Sequence, residues 1–180
     1  MLKKKNWLFI LFFATFSFNY AEAAKSNSKE IGENRTNMEF TPDHKIQEIA
    51  EHYAGDAVSF ALKQFKITLD WSDESIKEVE FILDYMHKQA LKDKPSDDEI
   101  FSFAKGFGSY IGEVYRRNHG AEWGMFTWEG ESFPGLQSKQ NPNNFWPWGK
   151  VQNRIKNGEE DNVQQYYHLL IEKTEVKSPS

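Results

Sequence analysis

Glu113 and Arg117 stand four residues apart, with His119 and Trp123 close behind them. On a helix that spacing brings an acid and a guanidinium onto one face. A histidine at the helix end adds a third polar group. Together they could hold a polar ligand, or use Glu113 as a general acid on a glycan. The plainer alternatives are a solvated ion pair contributing about 0.2–0.5 kcal/mol and a buried structural pair, in which removing one member would cost about 3–5 kcal/mol. Gly106 and Tyr110 share the face with Glu113 and Arg117, so they join the candidate binding residues.

Other groupings are weaker. Glu129 and Glu131 form a carboxylate pair, but they flank a turn, where residues two apart rarely converge on a substrate. His44, Glu48 and His52 could face one metal from a helix, yet no His-Glu-x-x-His pattern or cysteine accompanies them. Asp70, Asp73 and Glu74 could bind a cation, and capping a helix explains them more simply. Gly106, Gly108 and Gly112 nearly spell a dinucleotide fingerprint, with the last glycine one residue late and inside a helix. There is no G-x-S-x-G, no phosphate loop and no thiol. No metal or cofactor is expected, no catalytic signature is found, and a non-enzymatic role is favoured.

Aromatic residues carry more information. Trp123, Trp128, Trp146 and Trp148 crowd into one segment. Tryptophan offers a large contact area with a polar handle, which suits protein interfaces and sugar platforms alike. Trp123 is expected in the core. Trp146 and Trp148 are candidates for an exposed binding rim.

The element that must position these residues runs from Ser96 to Gly120. Ser96 and Glu99 form a capping box, and Gly120 suits a left-handed end. Ile100, Ala104, Phe107, Gly108, Ile111, Gly112 and Tyr115 make its buried face. Three interior glycines cost about 3 kcal/mol relative to alanine. Gly108 and Gly112 would admit another backbone. Gly106, on the opposite side, implies that this side is covered too or lines a cleft.

Thr41-Pro42 is read as the start of a first helix reaching about Lys63. Phe65–Trp71 alternates like a half-buried strand, and Ser72 caps a second helix carrying Ile76, Val79, Ile82, Leu83 and Met86. Glu122–Trp128 and Ser132–Gln137 read as strands joined by a turn, the second interrupted at Pro134-Gly135. A short helix through Val151 and Ile155 and a last one from about Asp161 follow. The expected fold is one α+β domain over residues 41–173: about three long and one or two short helices on a small, mainly antiparallel sheet.

The N-terminus carries Lys3–Lys5, an apolar run from Trp7 to Phe18, and Ala21-Glu22-Ala23. That is a secretory signal peptide over residues 1–23, shorter than the ~20 apolar residues of a membrane span. Residues 24–40 read as a disordered leader and 174–180 as a tail. The leader's Asn34-Arg35-Thr36 matches a glycosylation sequon. Cleavage removes three lysines and one glutamate from 22 basic and 27 acidic residues, moving the formal charge from −5 to −7. An acidic chain argues against nucleic acid and anionic lipid as main partners and suits a basic protein.

The segments G-S-Y-I-G-E-V-Y-R-R-N-H-G-A-E-W and F-W-P-W-G-K-V-Q-N-R-I-K-N-G resemble an uncharacterised bacterial domain-of-unknown-function family. Its members share a G-x-Y-x-G-E-V-x-R-R core, a following Trp, and a P-x-x-K-V-x-x-R-x-x-N-G segment. The matching residues are Gly108, Tyr110, Gly112, Glu113, Val114, Arg116, Arg117 and Trp123, then Pro147, Lys150, Val151, Arg154, Asn157 and Gly158. The resemblance spans about residues 66–172 and implies a domain type without a reaction. The helix–sheet layout is also similar to that of small bacterial immunity-type proteins. The sequence is therefore read as an exported periplasmic or secreted protein that binds another protein, in an immunity-like or inhibitor-like role. The alternative is a module that binds or hydrolyses cell-wall glycan. If export is right, N-terminal sequencing of protein from the envelope or medium returns Ala24. Recovery of residue 1 or 2 from the cytoplasm would refute it.

Overall fold

The computed structural model describes residues 38–140 and 143–175. The signal peptide, the sequon, nearly all of the leader and most of the tail lie outside the described residues. Among the described residues five helices pack against one antiparallel four-stranded sheet, so the fold is α+β. In chain order the elements are β1 (Glu39–Pro42), α1 (His44–Phe60), α2 (Ile76–Asp93) and α3 (Asp97–Tyr115). Then come β2 (Ala121–Trp128), β3 (Glu131–Ser138), β4 (Asn144–Phe145), α4 (Pro147–Asn157) and α5 (Val163–Glu175). The strands lie in sequence order across the sheet. Among the described residues no helix is long and apolar enough to cross a membrane.

The centre is α3. Its start has both halves of the capping box: the Ser96 hydroxyl accepts from the Glu99 amide, and the Glu99 carboxylate accepts from the Ser96 amide. Every residue from Gly106 to Tyr115 is buried, so the second half of the helix is enclosed on all sides. A single π turn, Arg116–Gly120, then releases the chain into β2, with Gly120 at φ +75°. A Cβ on Gly108 would sit 2.7 Å from the Pro147 carbonyl oxygen, so the start of α4 lies directly on the α3 backbone. At Gly112 the neighbour is not backbone but the Trp123 ring and Leu136, both of which a Cβ would overlap. One glycine thus seats a helix and the other seats the sheet.

The hairpin follows its turn residues. Glu129 and Gly130 take φ of +50° and +86°, the two-residue turn whose twist matches the flanking strands. Trp123 lies opposite Leu136 and Phe126 opposite Phe133. Pro134 does not interrupt β3, which runs unbroken with Pro134 opposite Met125.

The expected strand at Phe65–Trp71 does not form. Its alternation is real, since Leu69 is buried between exposed Thr68 and Asp70, but periodicity reports half-burial and not a hydrogen-bonded ladder. Lys66 and Trp71 hold φ of +59° and +68°, which breaks the extended path at both ends. The sheet edge beside β2 belongs to β1, pairing Glu39 with Thr127 through Pro42 with Gly124. Glu39 and Phe40 therefore belong to the sheet and not to a leader. Only Phe40 of β1 is half-buried, too little apolar pattern to read as a strand. Helix α1 begins at His44, not Thr41, because Asp43 is the N-cap and its carboxylate accepts from the Lys45 amide. Beyond Phe60 the chain continues as a π turn to Phe65.

Two glycine substitutions test this arrangement. Gly108→Ala places a methyl against rigid backbone and should lower stability by about 1–3 kcal/mol in urea denaturation. Gly55→Ala, within α1 with no neighbour inside 4 Å, should raise stability by up to ~1 kcal/mol.

Candidate functional site

The carboxylate of Glu113 has no exposure to solvent and accepts four hydrogen bonds. Arg116 donates from Nε to Oε1 and from Nη2 to Oε2, both at 2.9 Å. The Arg117 Nε reaches Oε2 at 3.1 Å, and the Trp123 indole N–H reaches Oε1 at 2.8 Å. Arg116 also donates to Glu51 on α1 at 3.0 Å. Hydrogen bonding to Glu113 raises the Arg116 pKa above its ordinary value against the opposing effect of burial. A buried ion is tolerated only with such saturation. Glu113 therefore ties the π turn, the sheet and, through Arg116, α1 to the C-terminal end of α3.

Arg117 has a second contact. Its guanidinium lies 4.0 Å from the centre of the Trp71 ring, a cation–π geometry. The Tyr110 ring approaches the same indole at 4.8 Å. The Tyr110 hydroxyl accepts from the Trp71 amide at 2.9 Å and shares a 2.6 Å hydrogen bond with Ser75. Burial pushes the Tyr110 phenol pKa up. The left-handed Trp71 is thus fixed through its ring and its amide.

His119 joins a different group. Its Nε2 is 2.9 Å from Asp73, whose other oxygen accepts from the Tyr167 hydroxyl at 2.5 Å and from Asn118 at 2.9 Å. Burial works against the Asp73 carboxylate, and the hydrogen bonds from Asn118 and Tyr167 outweigh it, so its pKa falls below the usual carboxylate value. Burial and the Asp73 hydrogen bond push the Tyr167 phenol far up. Asp70 is occupied locally, accepting from the amide and hydroxyl of Ser72. His44 pairs with Glu48, and His52 pairs with Asp56. Among the described residues, no three histidine, aspartate or glutamate side chains are grouped to hold a metal ion.

The eight residues singled out by sequence thus separate. Tyr110, Glu113, Arg117 and Trp123 converge on one network, with Gly106 buried in the same helix. His119 belongs to the Asp73 cluster. Trp148, expected on a rim, is 7% exposed and donates to Ser109 at 2.7 Å. Trp146 is half-buried against Phe126 and Phe133 on the other side of the sheet, and its indole nitrogen has no hydrogen-bond partner among the described residues.

A second buried ion group went unnoticed in the sequence. Arg154 of α4 is fully buried and donates to Glu80 at 2.7 Å and Asp84 at 3.2 Å on α2. The remaining Glu80 oxygen accepts from the Val163 amide at the start of α5. The i,i+4 spacing of Glu80 and Asp84 was the available signal, but its basic partner lies 70 residues away.

No family model matches the chain, and no curated protein matches it. The resemblance to the uncharacterised family therefore rests on its motif residues alone. A crystal structure from Bacteroides thetaiotaomicron VPI-5482 is similar in fold, with a TM-score of 0.55 and 14% identity. The match covers 76% of this chain and 48% of that one, so this chain corresponds to about half of that protein.

The Glu113 network makes an asymmetric prediction. Glu113→Ala strands the Trp123 N–H, while both arginines can turn to water, so the loss should be about 1–3 kcal/mol. The double variant Arg116→Ala/Arg117→Ala leaves a buried carboxylate with one donor and should lose about 3–5 kcal/mol. Equal losses in urea denaturation would contradict the assignment.

Proposed function

We propose that this is an exported, non-catalytic bacterial envelope protein that acts by binding another protein, in an inhibitor-like or immunity-like manner. The observation that carries the reading is where the polar groups are used. Glu113, the residue best suited to acid chemistry, is sealed inside with four donors on its carboxylate. A carboxylate so enclosed meets no substrate, which leaves the glycan-hydrolase alternative through Glu113 without support. Large apolar side chains, meanwhile, remain in solvent: Leu62, Phe81, Tyr85, Leu91 and Leu169 are each more than two-fifths exposed. Exposed apolar surface on a well-packed domain suits a binding partner.

The test is native purification through a chromosomal tag. The chain should elute well above the 21.1 kDa of the uncleaved sequence with one defined second polypeptide in constant ratio. Elution at the monomer mass with no second chain would overturn the reading. Retention on purified peptidoglycan instead would favour a cell-wall module.

A further inference from the structure

One face of the sheet meets the helices. Trp123 and Leu136 press on Gly112 of α3, and Phe145 meets Tyr115 of the same helix at 4.7 Å. The opposite face would carry polar side chains if it served only to meet water. Instead Phe40, Phe126 and Phe133 stand in register across β1, β2 and β3. Trp146, just after β4, joins them, with ring centres 5.5 Å from Phe126 and 5.8 Å from Phe133. A Cβ at Gly124 would strike the Phe40 ring, and one at Gly135 the Phe126 and Trp146 rings. The rings therefore lie down across the glycines and spread over the strands. Phe126 is fully buried among them yet stands outside the main core, while Phe40, Phe133 and Trp146 stay half-buried. Among the described residues the ring contacts of these four are all with one another.

The charge at one end of this face has a single sign. Glu39, Glu129 and Glu131 gather where β1 begins and the β2–β3 hairpin turns, and all three are exposed. None has an ion-pair partner among the described residues. From Ala121 to Ser138 the sequence contains no lysine or arginine. The one basic pairing of this hairpin is at its far end, where Lys139 holds Glu122. Lys45 follows beyond Pro42, which lies opposite Gly124 and away from the turn. An unpaired acidic rim thus adjoins a half-buried aromatic face.

We infer that this aromatic face of the sheet, with its acidic rim, is the docking surface for a basic segment of the partner protein. The inference rests on the protein-binding reading and locates it. Lysine and arginine suit both parts of the surface, since they pair with the rim carboxylates and sit favourably over aromatic rings. The formal charge of the chain, −5, has the same sign as the rim, so the field at long range attracts the same partner. A second copy docking through this face would bring no cation to the rim, because β2 and β3 carry none.

A photo-crosslinking residue at Phe133, with Glu48 on α1 as the control position, tests this in the native cells. The expected adduct forms at Phe133 and not at Glu48, and maps to a segment of one protein rich in lysine or arginine. E129K/E131K should lower its yield about tenfold or more with an unchanged melting temperature. Added salt should lower the yield with the original rim as well. Should E129K/E131K fail to fold, E39K at the exposed edge of β1 must show the loss together with the salt response. Indifference of the adduct to charge reversal in a folded variant, or to salt, overturns the inference. So do adducts only at Glu48, or adducts to an acidic segment, to polysaccharide or to a second copy. An adduct to the chain's own leader, whose Lys25, Lys29 and Arg35 are the basic rival, overturns it too. No adduct at Phe133 while a second chain still copurifies overturns the surface and leaves protein binding standing. If no second chain copurifies, the protein-binding reading falls and this inference with it.

Discussion

A carboxylate fully removed from water must be surrounded by donors, and in this fold that requirement organises the centre. Glu113 draws Arg116 and Arg117 of the π turn back toward α3, and draws the Trp123 indole in from the sheet. Arg116 extends the linkage to Glu51 on α1. The π turn, β2 and, through Arg116, the distant α1 are registered by one side chain. An apolar residue of similar volume would often pack as stably, but it would not specify that the turn, the strand and the helix meet at this point. The π turn follows from the same demand, because it brings two consecutive arginines onto one carboxylate.

Close approach is the second organising constraint, and it links the two motif segments. Gly108 comes from one and Pro147 from the other, and they touch because no Cβ intervenes. Arg154, further along the second segment, ties α4 to α2 through Glu80 and Asp84, and Glu80 in turn anchors the start of α5. Lys150 and Asn157 both bond Asp161, which stabilises the tight connection after α4. The residues of these two segments that make those contacts therefore build a frame.

Local chemistry was legible in the sequence and long-range pairing was not. The Ser96–Glu99 capping box, the positive φ at Gly120 and Gly130, and the β2–β3 hairpin all follow from residues within a few positions of one another. The unexpected breadth of burial around α3 was signalled by Gly106, whose small size would be wasted on a solvated face. By contrast, Phe65–Trp71 alternates like a strand with no ladder to join, and β1 joins a ladder with almost no alternation. Side-chain periodicity records which way residues point; it does not record which backbone lies alongside. The candidate site shows a related limit. Spacing left Glu113 with Arg117 open as a surface pair, a cleft or a buried structural pair, and only the positions of Trp123 and Arg116 show that the carboxylate is enclosed. Nothing local to Asp73 indicated that His119 and Tyr167, from two other elements, would converge on it.

Trp123 and Trp148 have a consequence of a different kind. Their ring centres are 6.1 Å apart with planes inclined at 40°, and each indole N–H is fixed, one on Glu113 and the other on Ser109. Two chromophores so near and so rigidly skewed couple their transitions, and the native near-ultraviolet circular dichroism depends on that fixed packing. The centre of the molecule thus contains its own optical gauge: the registry of sheet, α3 and α4 can be followed without any label, by the light that two neighbouring indoles absorb together.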